Sequence, residues 1–191
     1  MKRLIFFAIV SLLTLNSFAQ NAEQEIRKTI FEYIKYCDEK NFSKAVEYMI
    51  DDFFEIIPKQ SLIDALESAF NNTSVIIENT DNKIIEVGKI EKIKDKYYSI
   101  VPYSFLLKMR FKDIDEETKI AILFEYEEEF GEENVKYNEK TDFFELKLIE
   151  KMVAVSKNGS TNWKLIKIEE NQKAIMEKLL PEKILKEALK K

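Results

Sequence analysis

Histidine is absent from all 191 residues. Without imidazole there is no Ser-His or Cys-His nucleophile pair of the usual kind, no imidazole general base, and no zinc or iron site built on histidine. Glycine occurs three times, at Gly88, Gly131 and Gly159, each isolated. Neither a phosphate-cradling Walker loop nor a dinucleotide fingerprint is therefore present. No nucleotide, metal or other cofactor is expected. The single cysteine, Cys37, cannot form an internal disulfide; it falls in phase with Ile26, Ile30 and Ile34, which reads as a buried, inert thiol. Acid–base chemistry is left to carboxylates, lysines and tyrosines. Only three prolines occur, and no Pro-, Gly- or Ser-rich linker divides the chain, so residues 20–191 are expected to form a single domain.

What is present begins with an export pattern. Lys2 and Arg3 precede an apolar run from Leu4 to Leu15, and Ser17-Phe18-Ala19 offers a small-x-small cleavage box before Gln20. The run is shorter than the ~20 residues a spanning helix needs, and no lipid-accepting cysteine follows it. Residues 1–19 are thus expected to be a cleaved signal peptide, with no stable membrane anchor and a product released to the periplasm or the medium. Loss of Lys2 and Arg3 would shift the net charge from −5 to about −7. Such a surface repels phosphate backbones, so no nucleic acid partner is expected.

Periodicity orders the elements. Ile26, Ile30, Tyr33, Ile34 and Cys37 make a helical stripe; a shorter helix restarts after Asn41 with Val46, Met49 and Ile50. An extended "DFFEIIP" leads to a third helix over "KQSLIDALESAF", with Leu62, Ala65, Leu66 and Phe70 inward. The period then changes to that of strands: "SVIIEN", a turn at Asp81-Asn82, and "KIIEVGKIEKI" with a bend at Gly88. In "YYSIVPYSFLLKMRF", Val101, Tyr103, Phe105, Leu107, Met109 and Phe111 share one face, expected beneath the N-terminal helices. Pro102 cannot donate to a ladder, which predicts an edge or a bend. Ile122, Leu123, Tyr126 and Phe130 form a further helical stripe ending at Gly131. Two last apolar runs flank Asn158-Gly159, a hairpin signal, and a final helix restarts at Pro181.

Three helices followed by a long, bent antiparallel sheet resemble the nuclear transport factor two-like superfamily, the cystatin-like α+β cone, over roughly Glu23 to Glu169. The resemblance rests on element order, on "IRKTIFEYIKYCDEKNFSKAVEYM" and on the strand bends. It points to uncharacterised exported bacterial members, which bring no assigned activity. The implied fold is α+β: N-terminal helices packed on a curved antiparallel sheet, with an inserted helix and a C-terminal helix as departures. In this superfamily the concave face lines a cavity, so Tyr103, Phe105, Met109, Met152 and Trp163 resemble pocket-lining positions; the plainer alternative is that they are core.

Two acids, Glu55 beside Phe54 and Asp142 beside Phe143, are candidate pocket carboxylates whose pKa apolar surroundings would raise. No spacing reproduces the aspartate and tyrosine set of ketosteroid isomerase, an enzyme on a similar cone. Glu125, Glu127, Glu128, Glu129, Glu132 and Glu133 crowd a helix C-terminus, where the macrodipole disfavours them. Two function classes follow: a non-catalytic domain binding a small apolar ligand or a protein partner, or a cone enzyme transferring protons with carboxylate and tyrosine. A homodimer through the sheet is a further candidate partner arrangement.

Overall fold

The computed structural model describes the backbone of residues 2–71 and 73–190, and side chains from Gln20 to Lys190 apart from residue 72. The expected signal peptide, residues 1–19, lies outside the residues whose side chains are described. Among the described residues no helix is long and apolar enough to cross a membrane. The fold is α+β: helices precede, interrupt and follow an antiparallel sheet.

Helix α1 (Lys2–Asp38) closes in a Schellman turn. The Asn41 amide donates to the Tyr36 carbonyl at 2.8 Å and the Lys40 amide to the Cys37 carbonyl at 3.0 Å, with Lys40 at φ 56°. That left-handed conformation usually belongs to glycine. The Asn41 side chain then caps α2 (Phe42–Ala45) by accepting from the Lys44 amide at 3.3 Å. The segment expected to be extended is instead a 3₁₀ turn, Asp51–Glu55. An extended chain would send the neighbouring Phe53 and Phe54 to opposite faces. The turn lets Phe53 bury and Phe54 pack beside it, their rings edge to face at 5.9 Å. In α3 (Lys59–Phe70), Leu62, Leu66 and Phe70 pack inward as expected, with Ile63 buried and Ala65 exposed.

Six strands follow: β1 (Val75–Ile84), β2 (Glu91–Ile93), β3 (Lys96–Phe111), β4 (Val135–Asn138), β5 (Phe143–Ser156) and β6 (Lys164–Lys167). The main path is β1-β3-β5-β4; β2 also pairs β3, and β6 pairs β5. The turn expected at Asp81-Asn82 is a bulge within β1, whose register shifts between Thr80 and Lys83. The run expected over residues 83–93 is interrupted around Gly88. Its amide donates to the Ile100 carbonyl at 3.0 Å, and its carbonyl accepts from the buried Ser99 hydroxyl at 2.7 Å. A Cβ there would lie 2.5 Å from the Ile100 carbonyl oxygen, so this approach requires glycine. Pro102 lies in a central strand, not at an edge. Its carbonyl accepts from Ile85, just past the end of β1, so the missing donor faces the side where that pairing has finished.

The β5–β6 hairpin forms as expected, but through a loop of residues 157–163 gathered around Asn158, whose Oδ1 accepts from the Ser160 and Thr161 amides, both at 2.9 Å. Strand β4 was not expected; its four residues are too few to show a period. Helix α4 (Glu116–Phe130) starts at Asp115, whose side chain accepts from the Thr118 amide at 2.8 Å, and ends at Gly131 with φ 87°.

Helices pack on both faces of the sheet, but the opposite face is covered only in part, leaving Ile149 exposed. On the inner face, α1 sets Ala22, Ile26 and Ile30 over Val101, Tyr103, Met152 and Ala154. Further along, α4 sets Ile122, Leu123, Tyr126 and Phe130 over Phe144, Leu146 and Met109. Leu107, Met109 and Phe111 thus share the expected face, but α4 covers them in place of the N-terminal helices. On the opposite face, α5 (Lys173–Leu179) and α6 (Glu182–Ala188), divided at Pro181, pack Met176, Ile184, Leu185 and Ala188 against Tyr98, Val153 and Ile166.

Candidate functional site

Neither helix fully covers the middle of the inner face. Tyr103, Phe105 and Met152 belong to the group beneath α1, Leu107 and Leu148 to the group beneath α4, and all five line a cleft of about 220 Å³. Its far wall is the end of α1, with Tyr33, Ile34, Cys37 and Asp38. Strand alternation puts every second residue of β5 on this face, so Leu148, Glu150 and Met152 enter it together. The Tyr103 and Phe105 rings stack with centroids 5.6 Å apart, forming an aromatic floor.

A polar set lies at the edge of that floor. Tyr103 and Glu150 are register partners, and the tyrosine hydroxyl donates to Glu150 Oε2 at 2.7 Å. The same oxygen receives Lys167 Nζ at 2.9 Å, and Lys167 also reaches Glu169 at 3.6 Å. Asn79 adds an amide whose Oδ1 is cut off from solvent and has no partner among the described residues.

Burial governs the protonation of the cleft. It pushes the Tyr33 phenol far above its usual range, with Cys37, Glu169 and Glu150 adding to the shift. Tyr103 is raised for the same reason, reinforced by the adjacent Glu150. The Cys37 thiol is pushed up to about 11, chiefly by burial. Near neutral pH all three hold their protons, so the cleft presents neutral phenols and a thiol where a nucleophilic site would need an ionised one. Among the described residues no group of three or more carboxylate or cysteine side chains could hold a metal ion.

The sequence-derived candidates divide. Tyr103, Phe105 and Met152 line the cleft. Met109 does not; it lies under α4, its sulfur 3.9 Å from the Tyr126 hydroxyl. Trp163 is buried in the α1 group without lining the cleft, its Nε1 unpartnered among the described residues. Both acids sit elsewhere. Glu55 is exposed at the end of its 3₁₀ turn. Asp142, at φ 59°, accepts from Tyr137 at 2.5 Å and meets Lys119 at 3.0 Å. Those two partners hold its carboxyl below the usual range, opposite to the rise expected of an acid in an apolar pocket. Glu150, Lys167 and Asn79 were missed, although counting by twos from Met152 along β5 would have put Glu150 on the inner face.

In comparison with known proteins, no family model and no curated protein matches the chain.

Proposed function

We propose that this is an exported, non-catalytic binding domain of the nuclear transport factor two-like cone type, whose inner-face cleft takes a small, mainly apolar ligand. The observation that carries this reading is the gap between α1 and α4, where Phe105, Leu107 and Leu148 form an apolar surface beside a small polar set. Ligand sites commonly have this make-up, an apolar wall with a few orienting groups. The protonated state of Tyr33, Cys37 and Tyr103 supports binding over nucleophilic chemistry.

Thermal-shift screening of lipids, sterols and small aromatics tests the proposal. A ligand at a hundred times its Kd adds about 2.7 kcal/mol of stability, and the shift should be lost in Leu148→Trp, which fills the cleft. A panel without any stabiliser would contradict it. One observation favours a second reading, proton transfer by a carboxylate and a tyrosine: Glu150 and Tyr103 meet within the cleft. Turnover of a ketone that disappears in Glu150→Gln would establish that reading instead.

A further inference from the structure

A second cavity adjoins the cleft. It measures about 340 Å³ and lies among α1, α2, α3, β6 and α5, with walls that include Phe42, Val46, Phe53, Leu66, Phe70 and Met176. Tyr33, Cys37, Asn79 and Lys167 line both cavities, so the polar set of the cleft stands at the mouth of an apolar chamber. That juxtaposition suits a molecule with a head and a tail.

The charges at the junction fix the sign of the head. Asp38 and Glu150 line the cleft and Glu169 lines the chamber, whereas Lys167 is the only cation among the described residues lining either. Lys167 is already engaged by Glu150 at 2.9 Å and Glu169 at 3.6 Å. The Tyr103 hydroxyl is committed to Glu150, and the Gln172 amide to Glu169 at 2.6 Å. What remains open is an acceptor, the Asp38 carboxylate, which lines the cleft and makes no hydrogen bond or ion pair among the described residues. An anionic head would enter a junction where Asp38, Glu150 and Glu169 outnumber Lys167. A head bringing its own N–H or O–H would donate to these carboxylates and, when cationic, be drawn by the surplus negative charge.

We infer that the cleft and its chamber form one bipartite site for a single-chain amphiphile whose head donates hydrogen bonds and carries no negative charge. This rests on the reading of the cleft as a ligand site and specifies its ligand class. The alkyl tail lies among the phenylalanines and Leu66, and an ammonium or hydroxyl head meets Asp38 and Glu150.

Isothermal titration with decylamine, decanol and decanoate, each below its own aggregation concentration, tests the inference, with butylamine as a head without a long tail. Decylamine should bind at least about tenfold more tightly than decanoate, with decanol between them and butylamine far weaker. Leu66→Trp should narrow the gap between decylamine and butylamine by filling the chamber. Glu169→Gln, at a partly exposed position, should narrow the gap between decylamine and decanol. Decanoate binding as tightly as decylamine would overturn the head-group assignment while leaving the cleft a ligand site. Butylamine matching decylamine would remove the tail chamber. Failure of the whole series, in a protein that a sterol or aromatic still stabilises, would overturn the amphiphile and spare the cleft; failure of every probe would overturn both.

Discussion

At the α1 end of the inner face, Ala22, Ile26 and Ile30 are wholly buried; at the α4 end no residue of the helix is buried, and Ile120 and Phe124 are 68% and 60% exposed. The sheet beneath is equally dry at both ends, with Val101 at 0% and Leu146 at 0%. The helices make the difference. From Gln20 onward, the apolar residues of α1 form one inward stripe, with Phe31 alone of its large apolar side chains turned outward at 50% exposure. Those of α4 are split, with Ile122, Leu123, Tyr126 and Phe130 inward and Ile120 and Phe124 outward. Helix α1 is therefore part of the core, while α4 is a cover resting on a core the sheet has largely completed. Segments with few buried contacts open locally at low cost, so α4 should open before α1.

The largest effect that tests this contrast is a pair of truncations. Ile30→Ala should cost about 2 to 5 kcal/mol. Leu123→Ala, on the half-buried face of α4, should cost clearly less, both read from denaturant midpoints. Equal losses would abolish the distinction.

The pH response should separate the ends next. At the α1 end, burial raises the Tyr33 and Tyr103 phenols, and lifts the Cys37 thiol from 9.0 to about 11. These groups ionise more readily in the unfolded chain. The stability they add is full below about pH 9 and is lost as pH rises through their folded values. At the α4 end, Tyr137 and Lys119 lower Asp142, and Thr118 lowers Asp115. Their contribution is present above the ordinary value of 3.8 and is lost as pH falls through the lowered ones. Methyl resonances of Ile30 should disperse last in acid and first in alkali, and those of Ile122 in the reverse order. Simultaneous loss at both extremes would contradict the assignment.

A smaller effect comes from the end of α1. Lys40 holds a left-handed conformation, so Lys40→Gly should raise stability by roughly 0.5 to 1 kcal/mol without altering the α4 end. A loss of stability would mean that the lysine side chain does more than close the helix.

Elements with long, clean periods were legible in the sequence: the α1 stripe at Ile26 and Ile30, the inner face of β3, the inward stripe of α4 and the helix restart at Pro181. What was hidden depended on tertiary context. The 3₁₀ turn at Asp51–Glu55 places two adjacent phenylalanines on one side, and the bulge at Asp81 shows only as a register shift in the pairing of β1 with β3. Local pattern does not register either. For the site, the apolar floor at Tyr103 and Phe105 was readable from alternation. Its polar edge was not, because Glu150, Lys167 and Asn79 come from three strands and meet only through pairing. Glu55 and Asp142 were attractive for their apolar neighbours in sequence, yet adjacency does not share surroundings: Glu55 is exposed while Phe54 packs on the core, and Asp142 is held by Tyr137 and Lys119.

The central claim is that the gap between α1 and α4 receives a ligand. The most direct test is methyl NMR of the protein titrated with its best-stabilising probe. Shifts concentrated at Leu107, Leu148, Met152 and Ile34, absent in Leu148→Trp, are the predicted result. Shifts confined to Ile120 on α4 or Ile149 on the opposite sheet face, with the cleft methyls unmoved, would contradict the account.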